Sequence, residues 1–452
     1  MTEKLYDLNS YLTEFDAEVV SCDHSVSSCF KDTIKSIIGT LPEKNEFYEM
    51  ILNRTAFFPE GGGQSSDIGN INGFNVYDVR SRNDEIVHLI GIPVSENADT
   101  IFKPGTNIRG HINWNKRFER MQQHSGEHLL SGFVFKQFGY HNTGFHLSDN
   151  GTTVDFDGTF TEDDLILIEN TVNDIILKNV PSHIYYPLPE ELKKLTYRSK
   201  KELEGPVRIV EFCGSEHVRS NDPVLFGSNN ILKESSNAFE NENISDICDV
   251  YDRCACCAPH VASTIEIGLF KILSAEHFKG GTRMEIACGQ RLLNEMRIMQ
   301  HNIRSISQLL SVKPENTADG VMKLNDSYKT LKFNNIRIER ELLEMAAANA
   351  DKPILFFDSA DTGNVRIAVN SLTGRFPESF CCAFVGNDEK GYNYIIACRQ
   401  DPEDLPLDCA VLLGQMKSNL KASGGGSSSM IQGNIKATKT DIEDFLSTLS
   451  HV

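Results

Sequence analysis

His124-Ser125-Gly126-Glu127-His128 is the stretch on which the reading of this chain turns. It lies inside Asn115–Phe138, where Phe118, Met121, His124, His128 and Phe133 recur at steps of three to five residues and Gly139 follows as a C-cap. That is the period and the stop signal of a helix. Two histidines four apart stand one above the other on one helix face, so both imidazoles can reach a single metal ion. The plainer alternative is a pair of polar residues edging an apolar face, since short motifs also match by chance. Two downstream pairs of Cys-x-x-x-His spacing, Cys213…His217 and Cys256…His260, would each complete a tetrahedral Cys/His set. Spacing alone leaves both open.

The chain has 452 residues, room for roughly two to four domains with real cores. At 40% hydrophobic and 24% charged it is not a disordered chain. No apolar run approaches a bilayer span, and Met1-Thr2-Glu3-Lys4 does not open a secretory signal, so a cytoplasmic location without membrane contact is expected. In that compartment the twelve cysteines read as reduced thiols or ligands. A net charge of −19 excludes a general nucleic-acid coat and leaves room only for a local basic groove. The densest basic stretch is Lys193, Lys194, Arg198, Lys200, Lys201 and Arg208, with Tyr197 among them. Such a run is most often a solvated face, yet here it is the best candidate to meet phosphates.

Residues 1–110 read as a β domain, with strands at Val19–Cys22, Phe47–Leu52, Asn75–Val79 and Ile86–Ile90. Between them Thr55 and Gln64 bracket Gly61, Gly62 and Gly63, which let a backbone approach a ligand or simply make a loop. Residues 111–290 mix helices and strands. Thr152–Phe156 alternates like a strand, Thr161 and Asp164 form a capping box for a helix, and Val207–Phe212 is a strand. The polar stretch from Cys213 to about Ile247 reads as an insertion. Residues 291–350 are helical with apolar stripes (Leu293, Met296, Ile303, Ile306, Leu310; then Leu342, Leu343, Met345). Residues 351–452 carry strand-like Ile354–Phe357, Val365–Val369, Cys381–Val385 and Tyr394–Cys398, then a helix near Cys409–Leu420. Gly424-Gly425-Gly426-Ser427 is either a phosphate cradle or a flexible turn.

Thr55–Gln64, His124–Leu130 (HSGEHLL), Cys254–Val261 (CACCAPHV), Glu266-Ile267-Gly268 and Lys271-Ile272 stand in the order of the editing domain of alanyl-tRNA synthetases. With its C-terminal extension the chain resembles the freestanding alanyl-tRNA editing hydrolases of the long type, over nearly its whole length. The resemblance implies an α+β architecture: a β-barrel-like N-terminal domain, an α+β zinc editing domain, a long helical linker and a C-terminal α/β domain similar to that of alanyl-tRNA synthetase. It also implies Zn2+ on His124, His128, Cys256 and His260, with Cys254 and Cys257 as neighbouring alternatives to Cys256. Cys213…His217 falls in the insertion and becomes a decoy.

The implied activity is hydrolysis of alanine tRNA mischarged with serine or glycine, without use of ATP. Glu127, Thr55 and Gln64 would serve the chemistry, Thr55 meeting the amino-acid moiety. Gly61, Gly62, Gly63, Lys193, Lys194, Arg198, Lys200 and Lys201 would hold substrate. The helical segment and C-terminal domain would support a homodimer. Three rivals stand beside this: a tRNA-binding module with structural zinc, a phosphoesterase carried by the C-terminal domain, and an H-x-x-E-H metalloprotease with Glu202 or Glu204 as third ligand.

Overall fold

The computed structural model describes residues 1–24, 26–37, 45–199, 206–214, 250–399 and 407–449. These form two compact units, Met1–His301 and Asn302–Val452, of mixed α and β structure.

In the first unit, strands β1 (Glu14–Asp23), β2 (Asn45–Leu52), β3 (Gly69–Ile71), β4 (Phe74–Arg82), β5 (Glu85–Pro93) and β6 (Asn107–Ile112) pair in the order β1-β2-β5-β4-β3-β6. The sheet closes through β6 on β1. Alternation sets which side faces inward: Phe15, Ala17 and Val19 of β1 are buried while Glu14, Asp16 and Glu18 are exposed, the period of a half-buried strand. Met50, Leu52, Val76, Val79 and Ile90 complete the interior.

Helix α1 (Trp114–Phe138) follows. The Asn113 side chain accepts from Lys116 N at its start, and Gly139 ends it at φ 73°. Burial from Arg120 to Gly132 makes α1 the core of the unit rather than a surface helix. Around it lie β7 (Asn142–Ser148), β8 (Gly151–Phe156), α2 (Glu162–Leu177, opened by the Thr161–Asp164 capping box), β9 (Ser182–Tyr185), β10 (Ile209–Cys213), β11 (Val250–Ala255), β12 (Phe270–Phe278) and β13 (Gly281–Cys288). They make two antiparallel sheets, β12-β13-β8-β7 and β9-β10-β11. Strand β11 can lie close to α1 because Gly132 has no side chain: a Cβ there would stand 2.5 Å from Tyr251 O.

Helix α3 (Gly289–Leu310) leads to α4 (Thr317–Ala348). In the second unit β14 (Ile354–Phe357), α5 (Thr362–Arg375), β15 (Cys381–Asn387), β16 (Gly391–Ala397), α6 (Cys409–Leu420), β17 (Ser423–Gly426), β18 (Met430–Ile435) and α7 (Lys439–Ser447) follow. The sheet order is β14-β15-β16-β18-β17, with only β14 and β15 parallel. No helix among the described residues is long and apolar enough to cross a membrane.

Three expectations need correction. Val365–Val369 is helical, not a strand: Asp361 caps α5 through Gly363 N, and Val365, Ala368, Val369 and Leu372 are buried at helical spacing. The Gly424–Gly426 run is not a loop but part of β17, an edge strand paired with β18. Cys213 is disulfide-bonded and buried, so the reading of every cysteine as a reduced thiol or ligand fails there. Nothing in the spacing of cysteines along a chain says which two the fold will bring together. His217, Glu202, Glu204, Lys200, Lys201 and most of the insertion lie outside the described residues.

Candidate metal centre

Helix α1 presents His124 and His128 one turn apart, and the segment after β11 brings Cys256 and His260 against them. One ligand atom from each of the four lies within 4.8 Å of every other. Cys256 Sγ is 3.5 Å from His124 Nε2 and 3.3 Å from His260 Nε2.

Each imidazole has its other nitrogen already engaged. His124 Nδ1 donates to Gln64 Oε1 at 2.8 Å, and His128 Nδ1 donates to Asp252 Oδ2 at 2.8 Å. His260 Nδ1 is 3.0 Å from Ser125 Oγ. An N–H held at Nδ1 leaves the Nε2 lone pair for a cation, the usual way a histidine ligand is oriented. Burial pushes the Cys256 thiol up, but His124 and His260 beside it outweigh burial and hold it well below the ordinary thiol range, so the thiolate a metal needs is favoured. Burial and then the neighbouring His128 push His260 down to about 3, keeping that ring neutral. The donor set therefore fits a divalent ion that takes nitrogen and thiolate sulfur, zinc among them.

A second cluster, His128, Asp252 and Cys254, is a poorer holder. Asp252 is already committed to Arg198 Nε at 2.7 Å as well as to His128. Burial keeps the Cys254 sulfur a thiol. Cys257, next to the centre, is pushed up to about 11 by burial and by Cys256.

The glycine block packs over His124. Phe58 and Asp67 close its base, with Phe58 N donating to Asp67 Oδ2 at 2.6 Å and Asp67 N to Phe58 O at 2.9 Å. Fully buried Arg117 of α1 clamps the same carboxylate and donates to Ala56 O and Ser10 O. Leu147 N donates to Gly63 O at 2.7 Å, fixing the loop to β7. Gly63, at φ 83°, passes so near Phe145 O that a Cβ would sit 2.4 Å from it. The backbone approach thus requires glycine.

A cavity of about 550 Å3 opens on the centre, lined by Gly62, Gly63, His124, Glu127, His128 and Phe145 at its inner part. Cys256, Cys257, Lys4, Asp7, Tyr186 and Arg208 also line it. The Glu127 carboxylate accepts from Ser131 Oγ at 2.6 Å and Asn142 Nδ2 at 2.5 Å.

The structure thus gathers His124, His128, Cys256, Glu127, Gly62 and Gly63 at one cavity, with His260 beside Cys256 and Gln64 beside His124. Thr55 is not among the lining residues. It is fully buried, its hydroxyl donating to His88 Nε2 at 2.9 Å and accepting from Phe57 N at 3.1 Å. His88 Nδ1 donates to Met50 O at 3.0 Å, and burial pushes His88 down to about 4. Lys193 pairs with Glu190 at 3.1 Å, and Lys194 is exposed. Arg198 turns inward to Asp252. Sequence reasoning missed Asp252 and Ser125, because no local signal marks a residue that supports a ligand from another element.

The family model for the second additional domain of threonyl and alanyl tRNA synthetases matches residues 242–285. Alanyl-tRNA editing protein AlaX-L of Pyrococcus horikoshii is 25% identical over 98% of this chain and 97% of its own length. Alanyl-tRNA editing protein Aarsd1 of Rattus norvegicus is 26% identical over 98% of each. Alanyl-tRNA editing protein AlaX-M of Methanosarcina barkeri is 30% identical over 50% of this chain and 90% of its own length. With that identity across nearly all of one relative, and full-length likeness to the others, the chain belongs to the alanyl-tRNA editing proteins.

Proposed function

We propose that the protein is a trans-editing deacylase that hydrolyses the ester of alanine tRNA mischarged with serine, and also with glycine. The observation that carries this is the Cys/His cluster whose His124, His128 and Cys256 line a cavity that also holds Glu127. A closed structural zinc would not need that cavity, and this sets the reading above a tRNA-binding module.

His124, His128, Cys256 and His260 would hold Zn2+, which when bound supplies polarisation of an ester carbonyl or of water. An aminoacyl ester is already activated, so the protein's part is to place it and manage one proton. Gly62 and Gly63 let the loop backbone come close to the aminoacyl group. Glu127, held by Ser131 and Asn142, takes the proton of the water whose oxygen attacks the carbonyl carbon. It returns that proton to the departing ribose oxygen as the C–O bond breaks. The products are free amino acid and a tRNA with an intact 3′ end. Gln64 fixes the His124 ring. Residues 1–110 and 111–290 carry this chemistry, while 291–350 and 351–452 serve homodimer assembly and grip on tRNA together with Lys193, Lys194, Lys200 and Lys201.

Thr55 has a supporting role in this scheme, because its hydroxyl is already paired on both sides within the barrel. The experiment follows loss of ester from seryl-, glycyl- and alanyl-tRNA(Ala) with purified protein and with Thr55→Val. Seryl and glycyl esters should be cleaved and alanyl ester spared. The valine leaves His88 Nε2 and Phe57 N without a partner, lowering stability by about 1–3 kcal/mol, with the seryl-to-glycyl rate ratio unchanged. Selective loss of seryl activity would return Thr55 to the substrate. Cleavage of none of the three would end the proposal.

A further inference from the structure

We infer that Tyr186 is a stacking platform for the terminal adenine base of the substrate, an assignment that rests on the deacylase reading. His124, His128 and His260 are buried and Cys256 is partly so, while Tyr186 is 52% exposed and lines the cavity onto which His124, His128 and Cys256 open. It therefore stands at the mouth and the ligands at the floor. A half-exposed aromatic ring at the entrance of the cavity offers its face to a planar ligand. A purine is such a ligand, since every base has a π-face.

The ring is tied to the metal centre through side chains. Tyr186 Oη donates to Asp7 Oδ2 at 3.4 Å. Asp7 Oδ1 faces Arg208 Nε at 3.6 Å. Arg208 Nη1 in turn donates to Cys256 O at 2.8 Å and Ala258 O at 2.9 Å, and Cys256 N donates to Arg208 O at 3.1 Å. A base on Tyr186 would thus be held at a fixed offset from the ligand-bearing loop, which is what placing a 3′ ester requires. Lys4, also on the cavity wall and beside Asp7, offers a cation for the neighbouring phosphate. The other aromatic lining residue, Phe145, does not compete for the base, because its ring packs 4.7 Å from His124. The two aromatics divide the cavity into an aminoacyl end and a nucleoside end.

The test uses the full-length protein and two uncharged oligonucleotides, 5′-ACCA-3′ and the same chain ending in an abasic ribose. Each is measured by direct binding and as an inhibitor of seryl-tRNA(Ala) cleavage. The wild-type protein should prefer ACCA by roughly 10- to 100-fold, the range of one base stacked on one aromatic ring. Tyr186→Ala should bring the two oligonucleotides to within about twofold and raise KM for seryl-tRNA(Ala) by a similar 10- to 100-fold, with metal content unaltered. Tyr186→Phe, which keeps the ring and loses the tie to Asp7, should restore the preference for ACCA. Equal binding of both oligonucleotides by the wild type, or a Tyr186→Ala protein that still prefers ACCA, would overturn the inference. So would a Tyr186→Phe protein as impaired as the alanine variant. Absence of seryl-tRNA cleavage with a preserved ACCA preference would instead count against the deacylase reading and leave the subsite standing.

Discussion

Cys256→Ala is expected to empty the proposed metal centre and to lower cleavage of seryl-tRNA(Ala) on the order of a thousandfold, the several kcal/mol that a bound metal contributes to such a step. The reason is geometric. Cys256 Sγ touches both His124 Nε2 and His260 Nε2, so it is the one anionic donor at the centre. Its neighbours are expected not to replace it. Cys254 Sγ points back to Ala255 O at 3.6 Å, and burial keeps it protonated. Burial around its sulfur and the neighbouring Cys256 push the Cys257 thiol up to about 11. Cys254→Ala, Cys257→Ala and Cys213→Ser should each retain about one zinc per chain in elemental analysis. The Cys213 change breaks a disulfide and is expected to cost stability, typically about 2–5 kcal/mol, without emptying the centre. Zinc lost from Cys213→Ser or Cys257→Ala in a protein that remains folded would refute the ligand assignment.

Asp252→Ala is the second large effect, and it acts through two partners at once. One carboxylate oxygen holds His128 Nδ1 at 2.8 Å and the other holds Arg198 Nε at 2.7 Å. Asp252 is fully buried, and Arg198 holds its carboxyl below the ordinary range against the upward pull of burial. Alanine leaves the Arg198 cation without its counter-charge in a poorly solvated place, a loss of about 3–5 kcal/mol. It also frees the His128 ring, which should weaken metal affinity by about 10- to 100-fold. Asp252→Asn keeps the volume and one acceptor, so it should fall between wild type and alanine on both scales. Chemical denaturation reads the first effect and chelator competition the second. An alanine variant with wild-type metal affinity would show that Asp252 does not orient His128.

Parts of this arrangement were legible in the sequence because the signal was local. Gly139 and the apolar spacing from Phe118 to Phe133 define α1 without help from the rest of the fold, while the Asn113 cap emerges only in the structure. The strands around Val19, Met50, Val79 and Ile90 carry the alternation of a half-buried sheet. Strand β3 does not, and β6 shows it only faintly in sequence, its inward Ile108 and Ile112 being separated by Gly110. Asn107–Ile112 contains Arg109, Gly110 and His111, and Gly69–Ile71 is three residues long. Only pairing across the barrel makes them strands, and that pairing is tertiary. Residues 365–369 read as a strand since a short apolar run of branched residues looks alike in both states until the Asp361 cap is given weight.

The four side chains that cluster were legible as two spaced pairs, and the family's order of blocks chose between the competing pairs. Their supports were not. His128 and Asp252 are 124 residues apart, and an aspartate beside a cysteine-rich run carries no mark of its partner. The basic stretch shows the same limit from the other side. Composition counts Arg198 with the lysines, yet its guanidinium is the one turned to a buried carboxylate. Thr55 and Gln64 flank one glycine block, but the first pairs with Lys4 in a short two-stranded sheet and turns its hydroxyl to His88, while the second meets the His124 ring.

Ester cleavage is expected to depend on a metal held by His124, His128, Cys256 and His260. The most direct test measures seryl-tRNA(Ala) cleavage and bound zinc together, during removal by a chelator and stepwise return of Zn2+. Cleavage should vanish with the metal and recover in proportion to it, reaching its full rate at about one equivalent per chain. A stripped protein, shown by elemental analysis to hold no metal and still cleaving at the starting rate, would contradict the account.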